Sequence, residues 1–121
     1  MSHKPSNRQQ AQLEYFKTLP PKLDRIRRTI EAMSIQQADE AAIRALGRLL
    51  DEIKANCGQQ GLHRLADTAG NMAMLSRRGG GQQVKVRGLR ELLGNFQVNL
   101  EGAHRAALVP ETGAQEKEPD A

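Results

Sequence analysis

The chain has no tryptophan, one tyrosine, two phenylalanines and one cysteine among its 121 residues. Aromatic residues make up only 2%, so a nucleic-acid surface built on base stacking has almost no material. The core must come from Leu, Ile, Met and Ala. The single Cys57 excludes an internal disulfide and fits a reducing compartment. Runs of β-branched residues are missing, which argues against a sheet. No apolar run approaches membrane-spanning length and no signal-peptide core follows Met1, so a cytoplasmic protein without a membrane partner is expected.

Gln, Ala, Leu, Arg and Glu are frequent instead, a composition that favours an all-α protein, and the length suits one domain with one core. Charge is unevenly spread. Residues 110–121 hold Glu111, Glu116, Glu118 and Asp120 against Lys117, a net −3, which leaves +7 on the rest of a chain that carries +4. A basic body attracts anionic partners, whether nucleic acid or an acidic protein surface.

Apolar residues recur at helical spacing in four stretches. Phe16, Leu19, Leu23, Ile26, Ile30 and Met33 step 3-4-3-4-3. Pro20 and Pro21 fall inside this seam, so a break or restart is expected there, with Thr18 as cap and the prolines in the new first turn. Ile43, Leu46, Leu50, Ile53 and Cys57 form a second stripe, in a helix predicted from about Asp39 to Asn56 or Cys57 with Ser34 or Asp39 as cap. Cys57 lies on that stripe, which implies a buried thiol. Gly61 suits a C-terminal cap. Leu62, Leu65, Ala69 and Met72 mark a third helix ending near Arg77. After a loop at Gly79, Gly80 and Gly81, a final helix starting between Val84 and Arg87 carries Leu89, Leu93, Phe96, Leu100, Ala103 and Ala107 up to Pro110. Four main helices, each with one apolar seam and short connections, predict an antiparallel four-helix bundle over residues 11–109. Residues 1–10 and 110–121 are predicted to be disordered tails, the second acidic.

Most chemistries find no support. Arg77, Arg78 and the three glycines that follow lack the Gly-Lys-Ser/Thr of a phosphate-binding loop and read as an interhelical connection. His3, His63 and His104 are isolated, without metal-ligand spacing, so no metal and no cofactor are expected. No nucleophile stands at a recognisable spacing from a base, so the chain does not read as an enzyme. Arg25, Arg27, Arg28, Arg44, Arg48, Lys85, Arg87 and Arg90 offer a basic surface for nucleic acid, but no helix-turn-helix signature stands out and solvated helix faces are the favoured explanation. A secretion chaperone or an oligomerising bundle has the same composition.

One helix face stands apart. Gly47, Asp51, Lys54, Ala55 and Gly58 put small residues around one carboxylate, and helical glycine costs about 1 kcal/mol relative to alanine. Small neighbours leave room for another protein to approach. Alone, Asp51 reads as an ordinary exposed acid pairing with Arg44, Arg48 or Lys54. However, Asp51-Glu52-Ile53-Lys54-Ala55-Asn56 resembles the His-x-Leu-Lys-Gly-Ser motif of histidine-containing phosphotransfer (HPt) domains, nearest to the N-terminal phosphotransfer domain of chemotaxis-type histidine kinases. In that register Asp51 takes the histidine's place, Ile53 the buried leucine, Lys54 the lysine, Ala55 the glycine and Asn56 the small polar residue. Gly61 matches a frequent family glycine, and Phe16 lies 35 residues before Asp51, where the family's first helix carries a phenylalanine.

The resemblance implies an HPt-like bundle in a two-component phosphorelay, docking a response-regulator receiver or a histidine kinase. The docking face would comprise Arg44, Gly47, Arg48, Lys54, Ala55 and Gly58 around Asp51. Phosphotransfer needs an imidazole nitrogen as nucleophile, which Asp51 lacks, so an adaptor that carries no phosphate is expected. A second register, His63-Arg64-Leu65-Ala66-Asp67, keeps a histidine but puts Ala66 in the lysine's place and Asp67 in the glycine's. It makes His63 the alternative phosphoacceptor of an active phosphotransfer protein. A basic bundle binding nucleic acid remains the reading from another class.

Overall fold

The computed structural model describes residues 5–110, and these are helical: α1 (Asn7–Phe16), α2 (Leu19–Ser34), α3 (Glu40–Gln59), α4 (His63–Arg77) and α5 (Gln82–Leu108). There are five helices where four were expected. The difference is the proline pair. Pro20 and Pro21 sit in the first turn of α2, where their missing N–H groups would lack partners in any case. The chain turns at Lys17 and Thr18, and the Thr18 hydroxyl donates back to the Tyr15 carbonyl (2.7 Å) rather than capping α2 forward.

The apolar seam crosses this joint unbroken. Phe16, Leu19, Leu23, Ile26, Ile30 and Met33 are all buried, as are Leu46, Leu50, Ile53 and Cys57 of α3, Leu65, Ala69 and Met72 of α4, and Leu89, Leu93, Phe96 and Ala107 of α5. Burying one such aliphatic side chain contributes about 1.5–3 kcal/mol. Cys57 is fully buried, with its Sγ 3.8 Å from the Tyr15 hydroxyl, and burial pushes the thiol up to about 11. The same desolvation, reinforced by Cys57, raises the Tyr15 phenol.

Contacts made by side chains, to other side chains or to backbone carbonyls, show the directions of the helices. Ser34 with Gln83, Glu31 with Arg90, Phe16 with His104 and Gln9 with Val109 run α5 antiparallel to α2 and then to α1. Lys22 with Glu52, Tyr15 with Cys57 and Gln12 with Gln60 do the same for α3 against that first pair. The Asp39 carboxylate caps α3, accepting from the Ala42 N–H (2.8 Å). At its other end Gly61 adopts φ +74°, with Leu62 N–H donating to Cys57 and Gly61 N–H to Gly58. This closing pattern favours glycine, and it lets α3 run through Gly58 to Gln59, past the expected end at Asn56 or Cys57. The last connection carries Gly80 at φ +109°, and α5 begins at Gln82, earlier than the 84–87 expected.

The largest departure lies at the start. The polar segment expected to be a tail to residue 10 is helical from Asn7. Ser6 and Gln9 form a capping box: the Gln9 N–H donates to the Ser6 hydroxyl (3.1 Å) and the Ser6 N–H to the Gln9 side chain (2.8 Å). The Gln9 amide then donates to the carbonyls of Ala106 (3.2 Å) and Val109 (2.6 Å), and the Gln12 amide to that of Gln60 (2.9 Å). Both glutamines are buried because they satisfy carbonyls left over at the ends of α5 and α3. The rest of the expected tails, residues 1–4 and the acidic stretch from 111, lies outside the described residues.

Gln9→Ala removes two hydrogen bonds to carbonyls at the end of α5 and half of a capping box. Chemical denaturation should show a loss of about 2 kcal/mol, against less than about 0.5 for the exposed Gln59→Ala.

Candidate functional site

The candidate face lies where α3 and α4 pack against each other. Both helices carry a glycine at the contact, and each glycine lies beneath a long cationic side chain of the other helix. A Cβ at Gly47 would meet the Arg77 guanidinium, 3.1 Å from Nη2 and 3.3 Å from Cζ and Nε. A Cβ at Gly70 would meet the arm of Lys54, 3.2 Å from Cδ and 3.4 Å from Cε. The two crossings, Gly47 with Arg77 and Lys54 with Gly70, set α3 and α4 antiparallel and close together.

Arg77 reaches across to Asp51. Its Nη2 donates to Oδ2 at 2.6 Å and its Nη1 to Oδ1 at 3.4 Å, a two-pronged contact. Both side chains are about half exposed, 51% for Asp51 and 52% for Arg77. The hydrogen bonds from Arg77 hold the Asp51 carboxyl below its ordinary value, with the charges of Arg77 and Lys54 adding to the effect. The carboxylate raises Arg77 in turn. A carboxyl lowered by folding adds stability above its ordinary value, and that stability is lost as pH falls through the lowered one. Water screens the pair at this exposure, so its weight is in placing the two groups.

The expected docking residues divide along α3. Asp51 stands midway along the helix and faces outward, as the resemblance requires. Gly47 is buried, and the room it was expected to leave for a partner is taken by Arg77. Lys54 is laid over Gly70. Arg44 is exposed within 3.6 Å of Glu40, and Arg48 is exposed. Ala55 is exposed, and nothing lies within 4 Å of a Cβ at Gly58. The open part of the face is therefore the half from Asp51 to Gly58.

Sequence reasoning missed two residues here. Arg77 was expected near the end of the third helix, and it is the last residue of α4, but it was grouped with the glycines that follow and given no partner; its side chain turns back along α3 to Asp51. Met74 carried no assignment. It is 61% exposed, and it shares a side of α4 with Gly70 and Arg77, four residues from one and three from the other. It therefore borders the seam. A helical glycine opposite a long cation is a usable signal only once the pairing of the helices is known.

The other candidates sit elsewhere. His63 is exposed in the first turn of α4, beside the α3–α4 turn rather than midway along a helix. His104 packs on Phe16, with ring centroids 5.7 Å apart. No group of three His, Cys, Asp or Glu able to hold a metal occurs among the described residues, and His3 lies outside them. Among the described residues, no helix is long and apolar enough to cross a membrane. Much of the expected basic surface is locally paired: Arg27 and Arg28 with Asp24 (3.0 and 3.6 Å), and Arg90 with Glu31 (3.0 Å). Arg25, Lys85 and Arg87 lie on the separate helices α2 and α5.

No protein-family model, no curated protein and no solved structure matches the chain.

The glycines give a direct test of which part of the face is occupied. Gly58→Ala should stabilise the fold by up to about 1 kcal/mol through helix propensity alone. Gly47→Ala should gain less, because its methyl group pushes the guanidinium off its seat. Equal gains on denaturation would place Arg77 elsewhere.

Proposed function

We propose that this chain is an HPt-like adaptor of a two-component phosphorelay, docking a receiver domain or a histidine kinase without carrying phosphate itself. Counting α1 and α2 as one broken rod, four rods run alternately up and down, the plan the resemblance implies. The observation that carries the reading is the position of Asp51: outward, half exposed and midway along α3, beside Lys54 and Ala55. A carboxylate there has no nucleophilic nitrogen, and its oxygens already accept two hydrogen bonds from Arg77. With Gly47 covered, the partner approaches over Ala55 and Gly58.

The reading in which His63 carries phosphate rests on the exposure of that imidazole. Its place in the first turn of α4, next to a tight turn, supports it less well than the mid-helix position supports Asp51.

Calorimetric titration with the receiver domains of the source organism, each in turn, tests the proposal. One should bind with a dissociation constant of about micromolar order, typical of a small signalling contact. Ala55→Arg and Gly58→Arg should each weaken it at least tenfold, with the helical content unchanged. Incubation with a phosphorylated receiver should leave no acid-labile label on the chain. Label that disappears in His63→Ala would turn the assignment to an active phosphotransfer protein.

A further inference from the structure

We infer that the α3/α4 face recognises an acidic site on its partner protein through Arg77, which leaves Asp51 to do so, with Met74 beside it as the apolar contact. The inference rests on the docking reading above and names the partner chemistry of that face.

Arg77 is built to be exchanged. It is anchored at the end of α4, and its guanidinium lies across the bare backbone at Gly47, where a side chain would obstruct it. Its bond to Asp51 is made in half-exposed surroundings, where an ion pair is worth little, so a second carboxylate of similar geometry competes on near-equal terms. The guanidinium fork accepts any carboxylate of suitable geometry. The charges nearby favour an anionic competitor: Arg44, Arg48, Lys54 and Arg77 share this face with Asp51, and Arg44 is already matched by Glu40. Met74 adds an exposed, flexible thioether one turn from Arg77, suited to adapt to an irregular apolar rim.

On this account Asp51 masks the recognition group, so removing its charge strengthens docking. If Asp51 were itself the feature a partner reads, as a phosphohistidine mimic, the same change would weaken it. The sign therefore decides. The receiver that binds the wild-type chain is titrated with Asp51→Asn, Arg77→Gln, Met74→Ala and the double variant Asp51→Asn/Arg77→Gln, at low and at physiological salt. Melting curves check that each variant folds. We expect Asp51→Asn to bind about three- to tenfold more tightly, Arg77→Gln at least tenfold more weakly with a smaller salt dependence, and Met74→Ala a few-fold more weakly. The double variant should behave as Arg77→Gln alone. Wild-type binding with Asp51→Asn equal or weaker overturns this inference and leaves the docking reading standing. Absence of binding by wild type and Asp51→Asn to every receiver overturns both. A short random-sequence DNA duplex is titrated in parallel, and tighter binding to it than to any receiver overturns the acidic-protein assignment.

Discussion

At the α3/α4 contact, two cations are laid across two glycines. Arg77 covers Gly47, and Lys54 covers Gly70. Each crossing sets a glycine on one helix closely against a long flexible side chain on the other, and the two together mark the register of the hairpin. Helical glycine costs about 1 kcal/mol relative to alanine, and close approach gives Gly47 and Gly70 their reason. Asp51 then becomes the terminus of Arg77 rather than an isolated surface acid. Gly58 has no such neighbour within 4 Å, and it is where the face remains open.

A second constraint closes the ends of the bundle. At the C-termini of α3 and α5, α1 supplies donors from Gln12 to the Gln60 carbonyl and from Gln9 to those of Ala106 and Val109. Ten residues with little apolar content thus pack through buried amides as well as through Phe16. The long α5 spans both α1 and α2 because the proline pair divides the first seam without shifting its phase.

The core was legible because it rests on period alone. Every residue of the seam from Phe16 to Met33 is buried, and the stripe on α3 is buried apart from the half-covered Ile43. Local signals for caps and turns served equally well at Asp39, Gly61 and the proline pair. Other features were misread for distinct reasons. The capping box of Ser6 and Gln9 was passed over in a polar segment without an apolar pattern, and the carbonyls that α1 serves are about a hundred positions away at Ala106 and Val109. The roles of Arg77 and Gly70 depend on which helices face each other, and spacing along one helix does not encode that. Gly47 was expected to leave room for another protein, and this chain's own arginine takes that room.

The account turns on whether the Arg77 guanidinium holds Asp51 in solution. Carbon-detected NMR titration of the Asp51 side-chain carboxyl measures this directly. The carboxyl should titrate below the ordinary aspartate value near 3.9, return to it in Arg77→Ala, and move part of the way in Gly47→Ala. An Asp51 that titrates at the ordinary value in the wild-type chain, unmoved by loss of Arg77, would contradict the arrangement and the functional reading built on it.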